Sequence, residues 1–337
     1  MVEHAILGFL GVNIVYFIVS FIWQMPESTN FGNVLCSTLP MFLFYYLSAR
    51  GTITDKSLQV FLSIAAIAAV LYFFHAEKVS LIERIYREAG GITVNASTIF
   101  LVLIPFLFFV KNKPMLFILM AEICFFIIYA AKRGNIVAAI IPLELLSIKQ
   151  FRYNSNQFGK IVMIIGLLVL ANFAYNHFVN NAYLMRRMEK TMEGNSSGRD
   201  VIYAKAWEEW SQSNSMKNLI FGYGTDGTLR KIGIRAHNDW LEILVDFGIL
   251  GISFYFLFFA SLFRAALRLW KNDRDRAYLL LSVLSIWFLK SLYSMGFTEN
   301  LFSYLSMVIG IVLGRSVQIN DSSSPGISKL PNKNKHR

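Results

Sequence analysis

The chain has 337 residues, of which 55% are hydrophobic, 15% aromatic and only 16% charged. A soluble domain carries about 25% charged residues. Here the apolar residues also run in long blocks, so the composition excludes a soluble globular protein and indicates an integral membrane one. The net charge of +11 would suggest nucleic acid in a soluble protein. Because much of it falls in loops between apolar blocks, it reads as a topology signal instead.

A span takes roughly 20 apolar residues, with a range of about 17–25. In chain order the predicted spans are Ala5–Trp23, Gly32–Ser48, Leu58–His75, Val94–Val110, Pro114–Ala131, Asn135–Ile148, Ile161–Phe178, Trp240–Phe263, Ala277–Met295 and Thr298–Gly314. The first run is long for a signal-peptide core, has no Lys or Arg before it and no small-residue cleavage site after it, so it is expected to be retained. Asn135–Ile148 is the weakest, being short and holding Pro142 and Glu144. The expected fold is all-α: a polytopic membrane protein of about ten transmembrane helices with one large periplasmic loop. Residues 1–178 carry about seven spans, 179–239 form the loop, 240–314 carry about three spans, and 315–337 form a tail expected to be disordered.

Short loops set the orientation. Arg50, Lys56, Lys111, Lys113, Lys149, Arg152, Lys160, Arg264, Arg268, Lys271, Arg274, Arg276 and Arg315 fall on one side, and Gln24–Phe31 on the other side has no Lys or Arg. The basic side is expected to be cytoplasmic, with both termini there. The long loop then faces outward. Two short helices are expected in it, Tyr183–Met192 and Asp200–Ser211, with Asp200 as cap of the second. Trp207 and Trp210 suit a water–lipid boundary.

His237 and Asn238 lie where this loop enters an apolar helix, in Arg235-Ala-His-Asn-Asp-Trp-Leu-Glu242. Histidine titrates near neutral pH; a lone interfacial histidine is more often a loop hydrogen-bonder, but this one sits where a lipid-linked substrate meets water. Asn238 or Asp239 can cap the helix, with Asp239 favoured because Asp239 and Glu242 have capping-box spacing. Glu242 is left open between capping and orienting the imidazole. Arg87, Arg133 and Arg199 are expected on the outward side, against the topology bias; three guanidinium forks there suit a diphosphate. Phe221-Gly-Tyr-Gly-Thr-Asp-Gly227 has spaced glycines but lacks the strand and helix of a dinucleotide site. It reads as a tight turn, with anion binding by its amides a secondary reading. Gly248 and Gly251 are expected to let helices pack closely. Glu122, Glu144 and Lys290 are ionisable groups within spans, either an ion path or a structural pair. His75 and His177 are expected to end spans on the outer side. Cys36 and Cys124 read as two packed thiols, and no metal-ligand spacing is evident.

Taken together, these segments resemble the O-antigen ligase and O-antigen polymerase family of bacterial membrane glycosyltransferases. Arg87 to Asn95 is similar to the family's arginine-glycine stretch. Lys132-Arg133-Gly134 resembles its outward Ser-Arg step, with Lys132 at the Ser position. Gly198-Arg199, Trp207 and Phe221-Gly-Tyr-Gly224 look like its large loop. Ala236 to Glu242, through Gly248 and Gly251, is similar to its most specific signature. The resemblance implies a donor glycan on undecaprenyl diphosphate, and as acceptor a sugar hydroxyl on lipid A-core or on a second lipid-linked glycan, at the outer leaflet of the bacterial cytoplasmic membrane. His237 is then the catalytic residue, removing the acceptor proton as general base or positioning that hydroxyl; Arg133, Arg87 and Arg199 bind the diphosphate, and Asn238 and Glu242 support. No cofactor and no metal are expected. The competing readings are a polytopic transporter or flippase of anions or lipid-linked sugars, with Glu122, Glu144 and Lys290 along its path, and a non-catalytic protein that only binds lipid-linked glycan.

Overall fold

The computed structural model describes residues 29–87, 95–130, 132–153 and 198–323, with scattered positions among 8–22 and 166–185. The helices are α1 (Thr29–Ala49), α2 (Asp55–Arg87), α3 (Thr98–Leu103), α4 (Lys113–Tyr129), α5 (Arg133–Tyr153), α6 (Arg199–Ser211), α7 (Met216–Phe221), α8 (Gly227–Ile232), α9 (Asp239–Asn272), α10 (Arg274–Tyr293) and α11 (Ser303–Ser323). No strand occurs among the described residues.

Five helical stretches are long and apolar enough to cross a membrane: Asp55–Val79, Arg133–Arg152, Asp239–Asn272, Arg274–Tyr293 and Asn300–Val317. The count of ten is therefore not reproduced. Leu35–Ala49 and Thr98–Phe109 are shorter apolar helices. The predicted spans Ala5–Trp23 and Ile161–Phe178, and the short helix Tyr183–Met192, fall largely outside the described residues. The Val94–Val110 expectation also changes in kind. Residues 95–97 and 104–109 are 3-10 turns on either side of six α-helical residues. Pro105 explains the second change, since it lacks an N–H and its ring opposes the carbonyl four residues back. Conversely, α2 continues beyond His75 to Arg87, 33 residues in all, or about 50 Å at helical rise. His75 is thus inside a helix, not at its end; His177 lies outside the described residues. Cys36 is exposed and Cys124 buried, so only the second is a packed thiol.

Four of the charges assigned to one side, Lys111, Lys149, Arg276 and Arg315, lie at one end of the bundle. Asp55 pairs with Lys111 at 2.9 Å and with Arg315 at 2.8 Å. Lys149 donates to the Phe108 carbonyl and lies 3.8 Å from Asp275. Arg276 donates to the Arg315 carbonyl and pairs with Asp273. Asp273 also caps α10 by accepting from the Arg276 amide, which lets α9 and α10 form a hairpin joined by one residue. Near this end α11 docks closely on α1: a Cβ at Gly310 would sit 2.3 Å from the Met41 carbonyl oxygen, and one at Gly314 would sit 2.4 Å from that of Tyr45. Small residues four apart permit this approach where lipid offers no hydrophobic drive.

At the other end α9 is broken. Gly248 has φ 65° and ψ −162°, a region that only glycine occupies readily. The break frees the Val245 and Asp246 carbonyls, which accept from the amides of Tyr223 and Gly224 at 2.8 Å each. Thus Gly248 does permit a close approach, that of Ile220 in α7, and it also opens the helix to receive the glycine turn. The turn's amides are spent on α9 rather than held out for an anion. The Asp246 carboxylate completes the joint, accepting from Thr228 N and Oγ1 at 2.9 and 3.0 Å. A small core of Ala206, Ala236 and Val245 binds α6 and the 233–238 segment to this half-helix. Gly248→Ala should cost about 1–3 kcal/mol from backbone conformation alone, and its Cβ would also meet Ile220 O at 2.4 Å. We expect a lower thermal midpoint for the detergent-solubilised variant than for Gly32→Ala, whose Cβ enters open space. Equal midpoints would show that the break is not needed.

Candidate functional site

The C-terminus of α10 organises the site. The last carbonyls of a helix lack intrahelical partners, and here side chains from elsewhere supply them. Arg199 Nη1 donates to the Tyr293 carbonyl at 2.9 Å. Asn238 Nδ2 and the Tyr203 hydroxyl donate to that of Leu292 at 3.0 and 3.4 Å. Tyr293 in turn donates through its hydroxyl to the Gly134 carbonyl at 3.0 Å, and Trp240 Nε1 donates to Ser291 Oγ. The starts of α5, α6 and α9 are thereby tied to one point.

Asn238, not Asp239, caps α9: its Oδ1 accepts from the amides of Trp240 and Leu241 at 3.0 and 3.2 Å. Asp239 is drawn inward because Tyr255 OH and the Phe297 amide both donate to its Oδ2, at 2.8 and 2.9 Å. Glu242 accepts from the Ala236 amide at 2.7 Å. It therefore braces the residue before His237; the structure gives it no bond to the imidazole. At α6 the capping position is Gly198, with Asp200 in the first turn, so Asp200 is not the cap. Asn238→Ala should cost about 1 kcal/mol for the lost cap and release Leu292 O. Asn238→Asp keeps the cap and loses only the second contact, so it should fall between wild type and alanine in thermal midpoint. An alanine variant as stable as the aspartate would overturn the capping assignment.

His237 is exposed and has φ 52°, the left-handed region that non-glycine residues seldom occupy. Glu242 fixes the backbone behind it and Asn238 the backbone ahead, which explains how the conformation is held. Burial, then the charges of Arg199, Arg235 and Lys132, lower its pKa. The imidazole therefore stays neutral, and able to accept a proton, to lower pH than a free histidine. Lys132 is also lowered by burial; Glu299 opposes this and Arg199 adds to it. Arg235 pairs with Asp226 at 2.9 Å.

Of the sequence-predicted site residues, His237, Arg199, Asn238 and Glu242 converge here. Arg133 opens α5, half-buried, beside Lys132 and the Gly134 carbonyl that Tyr293 holds. Arg87 is the last residue of α2; its side chain lies outside the described residues. Glu122, Glu144 and Lys290 do not assemble: Glu144 is exposed, Glu122 is half-buried, and Lys290 Nζ donates to Asn135 Oδ1 at 3.1 Å.

Three features escaped sequence reading. Arg235 and Lys132 join the cation cluster. The surroundings of Lys290, noted in the sequence only as a charge within a span, are the second: it is 1% exposed and faces Lys132, Glu299, Asp239 and Arg199. A small open-sided cleft is lined by Tyr16, Arg235, Asp239, Glu242, Asp246 and Phe297, among others. The i, i+3, i+7 spacing of the three carboxylates was the available signal for their shared face. Among the described residues no group of three or more His, Cys, Asp or Glu is arranged to hold a metal ion. No protein-family model matches the chain, and no curated protein matches it.

Proposed function

We propose that the chain transfers a glycan from undecaprenyl diphosphate to a sugar hydroxyl at the periplasmic face of the bacterial cytoplasmic membrane, as an O-antigen ligase or polymerase. The observation that carries this reading is the exposed, strained His237 set among Arg199, Arg235 and Lys132 at the ends of apolar helices. In the proposed step His237 takes the proton of the acceptor hydroxyl as that oxygen attacks the anomeric carbon. The bond from that carbon to the diphosphate oxygen breaks, and the undecaprenyl diphosphate leaves with the electron pair. Arg199, Arg133 and Arg87 stabilise the charge that builds on it. Asn238 and Glu242 keep the loop in place.

Reconstitution of the full chain in liposomes with a lipid-linked donor, scanning acceptors with and without chelator, tests this. Transfer to a lipid-linked glycan would mark a polymerase and transfer to lipid A-core a ligase. Donor binding without turnover on any acceptor would reject the enzyme reading, and movement of the intact donor across the bilayer would identify a flippase.

A further inference from the structure

Among the described residues Lys132 is a cation with no directly bonded acidic partner. It directly precedes α5 and is half-buried, and among the described residues its ammonium makes no hydrogen bond and no ion pair. The charges nearest it are mixed: Glu299 is acidic, whereas Arg199 is basic. Lys290 lies on α10 with Lys132 and Arg199 both facing it, and among the described residues its hydrogen-bond partner is the neutral Asn135 amide. That amide is itself tied to Ser97 and Thr98 hydroxyls at 2.7 and 3.3 Å, and among the described residues no carboxylate bonds Lys290 directly. The three cations cannot move apart cheaply. The Tyr293 hydroxyl fastens the start of α5 by donating to the Gly134 carbonyl, and the Arg199 guanidinium fastens the start of α6 by donating to the Tyr293 carbonyl.

Desolvated like charges whose direct partners are neutral or missing are unfavourable in an empty site. An anion placed among them removes the penalty, and a cluster held open in advance loses little on binding it. We propose that Lys132 is an anion-binding residue that takes a phosphate oxygen of a diphosphate group, with Arg199 beside it and Lys290 behind. This deepens the glycosyl-transfer reading and rests on it for the identity of the donor, though not for the anion site itself. A lysine suits the position because its ammonium is a compact point charge with three rotatable donors, whereas the arginines clamp with a planar fork.

The test uses the purified full chain in neutral detergent, titrated calorimetrically with inorganic pyrophosphate and, separately, orthophosphate. Pyrophosphate should bind more tightly than orthophosphate. Lys132→Met should weaken it about tenfold or more, the scale of one charge-assisted hydrogen bond, and should flatten the salt dependence. Lys132→Arg should recover much of the affinity. Thermal midpoints should stay alike, which a merely structural lysine would not permit. Phosphatidylglycerol added to the micelles should not compete; competition would make the ligand a lipid headgroup and overturn the diphosphate assignment. Wild-type affinity in Lys132→Met, or no pyrophosphate binding by the wild type, overturns the inference. Lys132-dependent pyrophosphate binding in a protein that transfers no glycan would leave it standing and reject glycosyl transfer alone.

Discussion

His237→Ala is expected to lower glycan transfer in liposomes by about 10²–10⁴-fold, the contribution of a well-placed general base. Stability should hardly change, because the side chain is exposed and surface substitutions away from special contacts usually stay within about 0.5 kcal/mol. The left-handed backbone complicates alanine slightly, so His237→Asn is the better-tolerated control, since asparagine enters that region more readily. His237→Gln separates the two roles open to the ring: glutamine can orient a hydroxyl by hydrogen bonding but cannot take its proton. The pH profile follows from the same cluster. A base works when neutral, and burial with three nearby cations lowers this one's pKa. The acid limb of kcat/KM should therefore lie below the ordinary imidazole range. Arg235→Gln removes a cation and frees Asp226 from its partner; both changes raise the pKa, so the limb should move to higher pH. Donor phosphates offset the same cations, so the limb in kcat should lie above that in kcat/KM. A limb that stays put in Arg235→Gln, or full transfer by all three His237 variants, would remove the imidazole from the mechanism.

What could be read in the sequence follows from where the information is local. Long apolar runs announce α9, α10 and α5 because a helix in lipid must satisfy its own backbone. The helix start at residue 239 was legible from Asn238-Asp239, but the wrong member was chosen. Capping-box spacing favoured Asp239, and the outcome turned on Tyr255 and the Phe297 amide, 16 and 58 positions away. The role of Gly248 was hidden for a similar reason. In sequence it is a small residue in a span, and only contact with Ile220 and Gly222 shows that it breaks the helix. Arg133 and His237 drew notice because each flanks an apolar run, whereas Arg199 lies well inside the long loop and was grouped with them only through the outward orientation expected for all three. Lys132 and Arg235 were present in the same segments, yet nothing in their spacing separated them from ordinary boundary cations. Lys290 drew notice as a charge in a span, but its Asn135 partner is 155 positions away and no pattern predicts it.

Arg199 is expected to lose more on substitution than a surface cation would, because it has two duties. Arg199→Met should lower kcat/KM for transfer by about 10²–10³-fold, the effect of removing one donor aimed at developing charge. It should also cost roughly 1 kcal/mol of stability, because the Tyr293 carbonyl loses a charged hydrogen bond. The two effects can be told apart. Arg199→Lys restores the charge but offers no fork able to hold the carbonyl and a phosphate oxygen at once. It should recover much of the pyrophosphate affinity and little of the stability. The α10 terminus has other supports, since Asn238 and Tyr203 both hold Leu292, so neither variant should fail to fold. Guanidinium added to Arg199→Met should rescue part of the transfer rate without moving the thermal midpoint. If transfer per folded molecule is unchanged in Arg199→Met while the midpoint falls, Arg199 is only a clamp between α6 and α10. The charge on the departing diphosphate must then be met by Arg133 and Lys132 at the start of α5.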